Sequence, residues 1–376
     1  MKALMDSSAF AAAVRHAGRI LDRLDPARNR ITIQADDGRL TVGADGAQTV
    51  SRVTIPATVL DAGAVAVCGT WLLALAAQSG AGESMIDADG EGGLTLTTGR
   101  RVATMRTLTD DTAAPVMRGD GPDDIVLSFP AGTLARLSDA TGHCASRTRT
   151  TPILSGIHLH GDGRTISAES TDKYRAARIR IPQPGWEGSL TVGAEWFRGA
   201  ARHADTLRIR RTRHAGGDTP QPSSLAVSGP GFTDESALLA GDWPNLSRVM
   251  PERDTAAATE IRADRAALLA AVKYLRALDT DESDMVPIRL AWGADGLSVS
   301  HSGDDSTGRD TIEDASIDGD TATLPAFNAP YLQDALQTIG SQRVVIRANG
   351  DRKPAMILAD GDDEDWVQVI VPIRHD

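Results

Sequence analysis

The sequence predicts an α+β protein made of three copies of one unit, and two landmarks held in phase carry that reading. The first is an Asp-Gly pair between alternating apolar and polar runs, at Asp37-Gly38, Asp162-Gly163 and Asp295-Gly296, a strong hairpin signal. The second is a helical segment bearing an aromatic residue: Trp71 in GTWLLALAAQ, Trp196 in AEWFRGAARH and Tyr331 in APYLQDALQT. Asp-Gly and aromatic are separated by 34, 34 and 36 residues in the three copies. Internal periodicity of this kind marks a repeated supersecondary unit.

The elements follow in order. Each copy opens on a strand and then a helix, in SAFAAAVRHAGRILDRL, PAGTLARLSDATGHCASR and RADRAALLAAVKYLRAL. Alternating strands come next, then the aromatic helix, then more strands. Helices are predicted over 7–24, 70–79, 130–147, 194–204, 263–278 and 328–339. Polar breaks at MRGDGPDD and PERDTAAATE set the boundaries, giving domains over 1–121, 122–252 and 253–376. Two helices per antiparallel set of strands define the α+β class.

Composition excludes several function classes. The 376 residues carry a net charge of −12, which argues against an evenly basic nucleic-acid binder. No run approaches the ~20 apolar residues of a membrane span. The first residues lack the layout of a secretory signal, so a cytoplasmic protein is expected. The two cysteines, Cys68 and Cys144, lie in no CxxC. There is no GxxxxGK[ST], GxSxG or HExxH, so no ATP, serine-hydrolase or zinc-protease chemistry is expected. His158 and His160 share a strand face without a third ligand, and structural histidines are the favoured reading. The acidic runs at 279–284 and 360–365 read as solvated loops. No cofactor, metal or catalytic residue is expected.

The charge is unevenly placed. The three domains net −2, +1 and −11, yet the six predicted helices hold ten basic and five acidic residues. Arg15, Arg19 and Arg23 recur every fourth residue, as do Arg198 and Arg202, so each set is expected to form a stripe. Like charges at this spacing cost a few tenths of a kcal/mol per pair, which a facing polyanion would offset. Arg136, Arg147, Lys273 and Arg276 add to the helical set, with Arg28 and Arg149 in helix-to-strand connections. A positive lining under an acidic remainder would hold duplex DNA by its phosphates, without reading sequence.

Four segments then resemble one family. Thr151-Pro-Ile-Leu-Ser-Gly156 leads to Glu169-Ser-Thr-Asp-Lys-Tyr-Arg-Ala176, and Gly241-Asp-Trp-Pro-Asn-Leu-Ser-Arg-Val-Met-Pro251 follows. Ala326-Phe-Asn-Ala-Pro-Tyr-Leu332 and Val369-Ile-Val-Pro-Ile-Arg374 complete the set. In this order and spacing the chain resembles the bacterial sliding clamp, the beta subunit of DNA polymerase III, as a divergent member. The first domain matches in layout only and lacks the family's Pro- and Leu-rich segment near 26–34.

The resemblance implies three clamp domains per protomer and a head-to-tail homodimeric ring around double-stranded DNA. The ring would tether a replicative polymerase as a non-catalytic processivity factor. Closure would pair Arg101–Leu108 with Arg309–Ala315. The resemblance also implies a pocket for short linear motifs of polymerase and clamp-loader subunits. Carried over position by position, it comprises Leu154, Thr171, Lys173, Tyr174, Arg175, Ala176, Pro244, Arg248, Val249, Pro354, Met356, Val369, Val371, Pro372, Ile373 and Arg374. Arg175 and Arg248 are expected to meet peptide carbonyls or acids. Ala176 stands where a larger apolar residue is usual and Lys173 where glycine is common. These departures make a specialised paralogue, phage-encoded or inhibitor-resistant, the alternative reading.

Overall fold

The structure is a computed structural model that describes residues 1–88, 92–108, 117, 119–148, 150–213, 219–279, 285–303, 305–361 and 364–373. The first repeat runs β1 (Lys2–Asp6), α1 (Ser7–Ala17), β2 (Arg30–Asp36), β3 (Arg39–Asp45), β4 (Thr49–Pro56), β5 (Thr58–Asp61), β6 (Gly63–Cys68), α2 (Gly69–Ala76), β7 (Glu83–Ala88), β8 (Gly93–Thr98) and β9 (Arg101–Arg106). The second runs β10 (Ile125–Ser128), α3 (Thr133–Thr141), β11 (Gly156–Asp162), β12 (Thr165–Thr171), β13 (Arg175–Pro182), β14 (Glu187–Gly193), α4 (Ala194–Ala201), β15 (Thr206–Thr212), β16 (Gln221–Gly229) and β17 (Phe232–Ala237). The third runs β18 (Thr259–Asp264), α5 (Arg265–Arg276), β19 (Pro287–Gly293), β20 (Gly296–Ser302), β21 (Thr307–Ile312), β22 (Ala315–Gly319), β23 (Ala326–Asn328), α6 (Ala329–Thr338), β24 (Arg343–Ala348), β25 (Ala355–Ala359) and β26 (Asp365–Ile370).

The sequence landmarks fall where their chemistry requires. Asp37 and Gly38, with φ of 44° and 70°, form the two-residue turn between β2 and β3. Positive φ at both positions matches the primed turn that follows strand twist, and Asp-Gly tolerates it. The other two Asp-Gly pairs lie at the β11–β12 and β19–β20 hairpins. Trp71, Trp196 and Tyr331 are all helical. Asp6 and Asp264 cap α1 and α5 through their side chains, which accept from the Ala9 and Ala267 amides.

The chain forms two compact units, Met1–Ala135 with Trp196–Leu238, and Arg136–Glu195 with Leu239–Asp376. The first holds a five-stranded sheet in the order β5-β1-β7-β8-β9 and an eight-stranded sheet in the order β10-β15-β16-β17-β4-β3-β2-β6. The second holds a nine-stranded sheet, β14-β11-β12-β13-β26-β25-β24-β18-β22, and a four-stranded sheet, β21-β20-β19-β23. Each large sheet therefore combines strands of two repeats. β17 joins β4, and β26 joins β13, both antiparallel. Backbone pairing across the repeat boundary is why the units do not follow the repeats.

The helices are shorter than the sequence predicts, and this corrects the arginine stripes. α1 stops at Ala17 and a single 3-10 turn, Gly18–Ile20, carries Arg19. Arg23 lies beyond both. A Cβ on Gly18 would come within 2.7 Å of Leu73, so glycine allows α1 and α2 to meet, and it also weakens the helix where it sits. α3 ends at Thr141 before a 3-10 turn, Gly142–Cys144, which leaves Arg147 outside. Arg202 is one residue past α4. Six of the ten expected basic residues remain α-helical: Arg15, Arg136, Arg198, Arg265, Lys273 and Arg276.

Candidate functional site

The second unit brings many of the expected peptide-contacting residues together. Ala176 on β13 lies opposite Val369 on β26, which lies opposite Met356 on β25. Three adjacent strands thus present one apolar face. The face closes into a buried cluster of Ala176, Leu246, Met250, Val345, Met356, Leu358, Val367 and Val369, with Trp243 packed against it. The sequence reading missed Leu246, Met250 and Trp243. Their signal was present in GDWPNLSRVM, where the three recur at spacings of three and four residues. Leu246 and Met250 share this buried cluster with the small Ala176.

Around this floor lie exposed groups: Lys173, Tyr174, Pro244, Arg248, Val249 and Val371. The Val371 amide donates to the Tyr174 carbonyl at 2.8 Å, tying the C-terminal segment to the β12–β13 turn. Pro354 and Ile373 are half-buried, while Leu154, Thr171 and Pro372 are buried. Leu154 sits in the 3-10 turn Pro152–Ser155, outside the cluster. Arg374 lies outside the described residues. An apolar floor with a mixed rim is the form of a peptide anchor site.

Two rim residues have unexpected roles. Lys173 holds φ +83°, a conformation L-residues rarely adopt. Thr171 Oγ1 accepts from its amide, while Asp172 accepts from the Tyr174 and Arg175 amides, and these bonds over-determine the turn. Arg175 does not point to a peptide. Its side chain is 4% exposed, donates to Asp172 at 2.9 Å and Asp334 at 2.7 Å, and lies 4.4 Å over the Tyr331 ring. A buried guanidinium requires charge partners, and here they come from its own chain. Burial works to lower it, but Cys144, Asp334 and Asp172 hold it above its ordinary value.

The same node contains His143 and Cys144, 3.2 Å apart. Burial, then the Arg175 charge, pulls the His143 ring down to about 4. Burial pushes the Cys144 thiol up, which makes it a poor nucleophile. His158 stacks on Trp243 with ring centroids 4.9 Å apart and bonds Thr191, and burial lowers it to about 4. It is a packed structural histidine.

The expected DNA-contacting cations divide into free and engaged groups. Arg15, Arg23, Arg198, Arg202 and Lys273 are exposed. Arg28 is exposed with Asp25 at 3.4 Å, and Arg276 donates to Gln333 at 3.1 Å. Arg147 is 84% exposed, with Asp334 at 3.6 Å. Arg136 is half-buried, paired with Glu364 and stacked 4.4 Å over Trp366. Arg19 donates to the Gly199 carbonyl and, at 3.1 Å, to Asp234. Burial pulls Arg19 below its ordinary value, Asp234 opposes this, and Arg202 adds repulsion. Arg149 lies outside the described residues. The cationic set is therefore thinner than its sequence count.

The described residues form a repeated α+β scaffold with an apolar face of peptide-site form and exposed cations, and comparison with known proteins finds the same scaffold. Residues 247–374 match the family described as "DNA polymerase III beta subunit, C-terminal domain". The beta sliding clamp of Streptomyces coelicolor is 24% identical over 392 residues, covering 100% of this chain and 99% of that protein. The beta sliding clamp of Synechocystis is 23% identical, covering 95% and 92%. The crystal structure of the Bacillus subtilis sliding clamp matches with a TM-score of 0.82 at 18% identity, over 100% of both chains. The Bartonella birtlesii clamp bound to griselimycin matches with a TM-score of 0.84 at 19% identity, again over 100% of both. The chain is thus similar over its whole length to beta sliding clamps, and it shares their fold.

Proposed function

We propose that this protein is a DNA sliding clamp: a cytoplasmic, non-catalytic processivity factor that encircles duplex DNA as a head-to-tail homodimer and tethers a polymerase. The observation that carries the reading is full-length agreement with the clamp fold, 100% of this chain against 100% of the solved clamps. The three repeats, over 1–121, 122–252 and 253–376, are its three domains. Exposed Arg15, Arg23, Arg28, Arg147, Arg198, Arg202, Lys273 and Arg276 supply weak phosphate contacts, which suffice when a closed ring prevents escape. Ring closure pairs β9 with β21. Both are edge strands, so their outer backbone groups are available to a second copy.

The face built on Ala176, Met356 and Val369, rimmed by Tyr174, Arg248, Val249 and Val371, takes short linear motifs of polymerase and clamp-loader subunits. A specialised paralogue is the second reading, favoured by Lys173 at φ +83° and by the alanine floor. Native mass determination followed by a retention assay tests the main reading. A dimer that stays on circular DNA after loading, and slides off linear DNA, is expected. A monomer that holds both forms equally would overturn it. Binding of a clamp-type peptide to the native chain and to Ala176→Leu separates the two readings: tight binding by the native chain argues against the paralogue.

A further inference from the structure

Successive repeats meet in the same kind of junction, first with second and second with third, but only the latter is filled. In one, β17 pairs with β4 and sets Phe232 opposite Val53 and Asp234 opposite Ser51. In the other, β26 pairs with β13 and sets Trp366 opposite Ile179 and Gln368 opposite Ala177. Val53 and Ile179 each stand three residues before the proline that closes the strand, Pro56 or Pro182. Phe232 is therefore the counterpart of Trp366. The helices agree: Ser7, Phe10, Ala11, Ala13, Val14 and Ala17 are buried, and so are Leu134, Leu137, Ser138, Ala140, Thr141 and Cys144, each 127 residues on. That register matches His16 to His143 and Ala9 to Arg136.

In the second junction the Arg136 guanidinium lies over Trp366, and the indole Nε1 donates to the Ala140 carbonyl at 3.0 Å. In the first, an alanine replaces the arginine and a phenylalanine the tryptophan. A cavity of about 660 Å³ results, bounded by Ala9, Ala12 and His16 of α1, by Phe232, and by Arg202 and His203 after α4. Its volume lies within the range of small-ligand sites. Its floor is apolar, and Ala12, Arg202 and His203 at its edge are exposed. Three further charged residues are near: Arg19 donates to Asp234, which also meets His16 Nε2 at 2.9 Å, and Asp205 accepts from the Thr206 hydroxyl and keeps its negative charge. The Arg202 guanidinium has no hydrogen-bond or ion-pair partner among the described residues.

We propose that this cavity is a second ligand site, distinct from the peptide face, that takes an aromatic carboxylate. The ring would lie on Phe232 and the alanine face, in the space that Trp366 and Arg136 fill in the other junction, and the anion would meet Arg202. Charge complementarity decides the chemistry: an unpaired guanidinium beside an apolar slot favours an anion on a flat apolar body.

The test uses the full chain, with 3-(indol-3-yl)propanoate and its primary amide as probes, followed by titration calorimetry and protein-observed NMR. The acid is expected to bind about two- to fivefold more tightly than the amide, the factor one partly exposed charge pair supplies. Arg202→Gln should remove that preference and leave amide binding unchanged. Ala12→Trp should abolish binding of both probes. Ala12 is solvent-exposed, so the variant retains the fold, and Ala131→Trp from the loop before α3 provides a second block. Absence of saturable binding up to about 5 mM, equal affinity for acid and amide, or binding that survives both tryptophan variants would each overturn the proposal.

Discussion

Asp334 faces two arginines of very different burial, and that contrast yields a sharp prediction. Arg175 is 4% exposed and 2.7 Å from the carboxylate; Arg147 is 84% exposed and 3.6 Å away. Breaking a buried pair by removing one partner costs about 3–5 kcal/mol, because the remaining charge is stranded. Arg175 keeps Asp172 and the Tyr331 ring, so Asp334→Ala should cost less, about 2 kcal/mol. Arg147→Ala removes only a solvent-screened pair and should cost under ~0.5 kcal/mol. Urea unfolding followed by tryptophan fluorescence measures both, since Trp243 and Trp366 lie in the same unit as the node. In an Arg175→Met background the cost of Asp334→Ala should fall below ~1 kcal/mol, the mark of a coupled pair. Because Arg175 sits between Tyr174 and Ala176, Asp334→Ala should also weaken peptide binding. Equal costs for Asp334→Ala and Arg147→Ala, or no coupling in the double variant, would refute the assignment of Arg175 as an internal support.

Buried titratable groups and the packed cluster carry further expectations. His143 is held near 4 in the folded chain, below its unfolded value of about 6.5, so the unfolded state binds the extra proton first. Stability is then fully present above about pH 6.5 and is lost as pH falls toward 4, by about 1–2 kcal/mol at pH 5. Denaturant midpoints measured against pH should show this slope, and because His158 is also held near 4, His143→Gln should remove only its own share, about half of what the two histidines give. Cys144, buried with its thiol pushed up, should resist alkylation in the native state, while half-buried Cys68 should react first; mass-mapped labelling reads this directly. Ala176→Leu, which adds volume beside Leu246 and Met250, should destabilise the second unit by about 1–3 kcal/mol, measurable by thermal or urea unfolding.

Several of the residues named from the sequence do lie together, and the limits of that reading are physical. The family resemblance, carried over position by position, supplied Ala176, Met356 and Val369, and the pairing of β13, β26 and β25 is what sets them side by side. The resemblance did not supply Leu246 and Met250: their three-and-four spacing marks a shared face, but the segment is irregular and nothing local says which sheet that face covers. Nor did it separate Arg175 from Arg248. The two are the same residue type in neighbouring motifs, and one is buried against two carboxylates while the other is exposed. The arginine stripe failed for a local reason: a four-residue spacing extends only as far as the helix, and Gly18 ends it.

The sequence by itself determined the threefold repeat, the α+β class, the Asp-Gly hairpins and the six helices. These depend on short-range periodicity and turn chemistry, which neighbouring residues specify. Only the tertiary structure decided that each large sheet takes strands from two repeats, that Lys173 adopts a left-handed backbone, and which cations are free. Strand partners, charge partners and filled or empty junctions are set by residues far apart in the chain. Arg136 meets Glu364 across 228 positions, and no local pattern records which distant side chain will arrive.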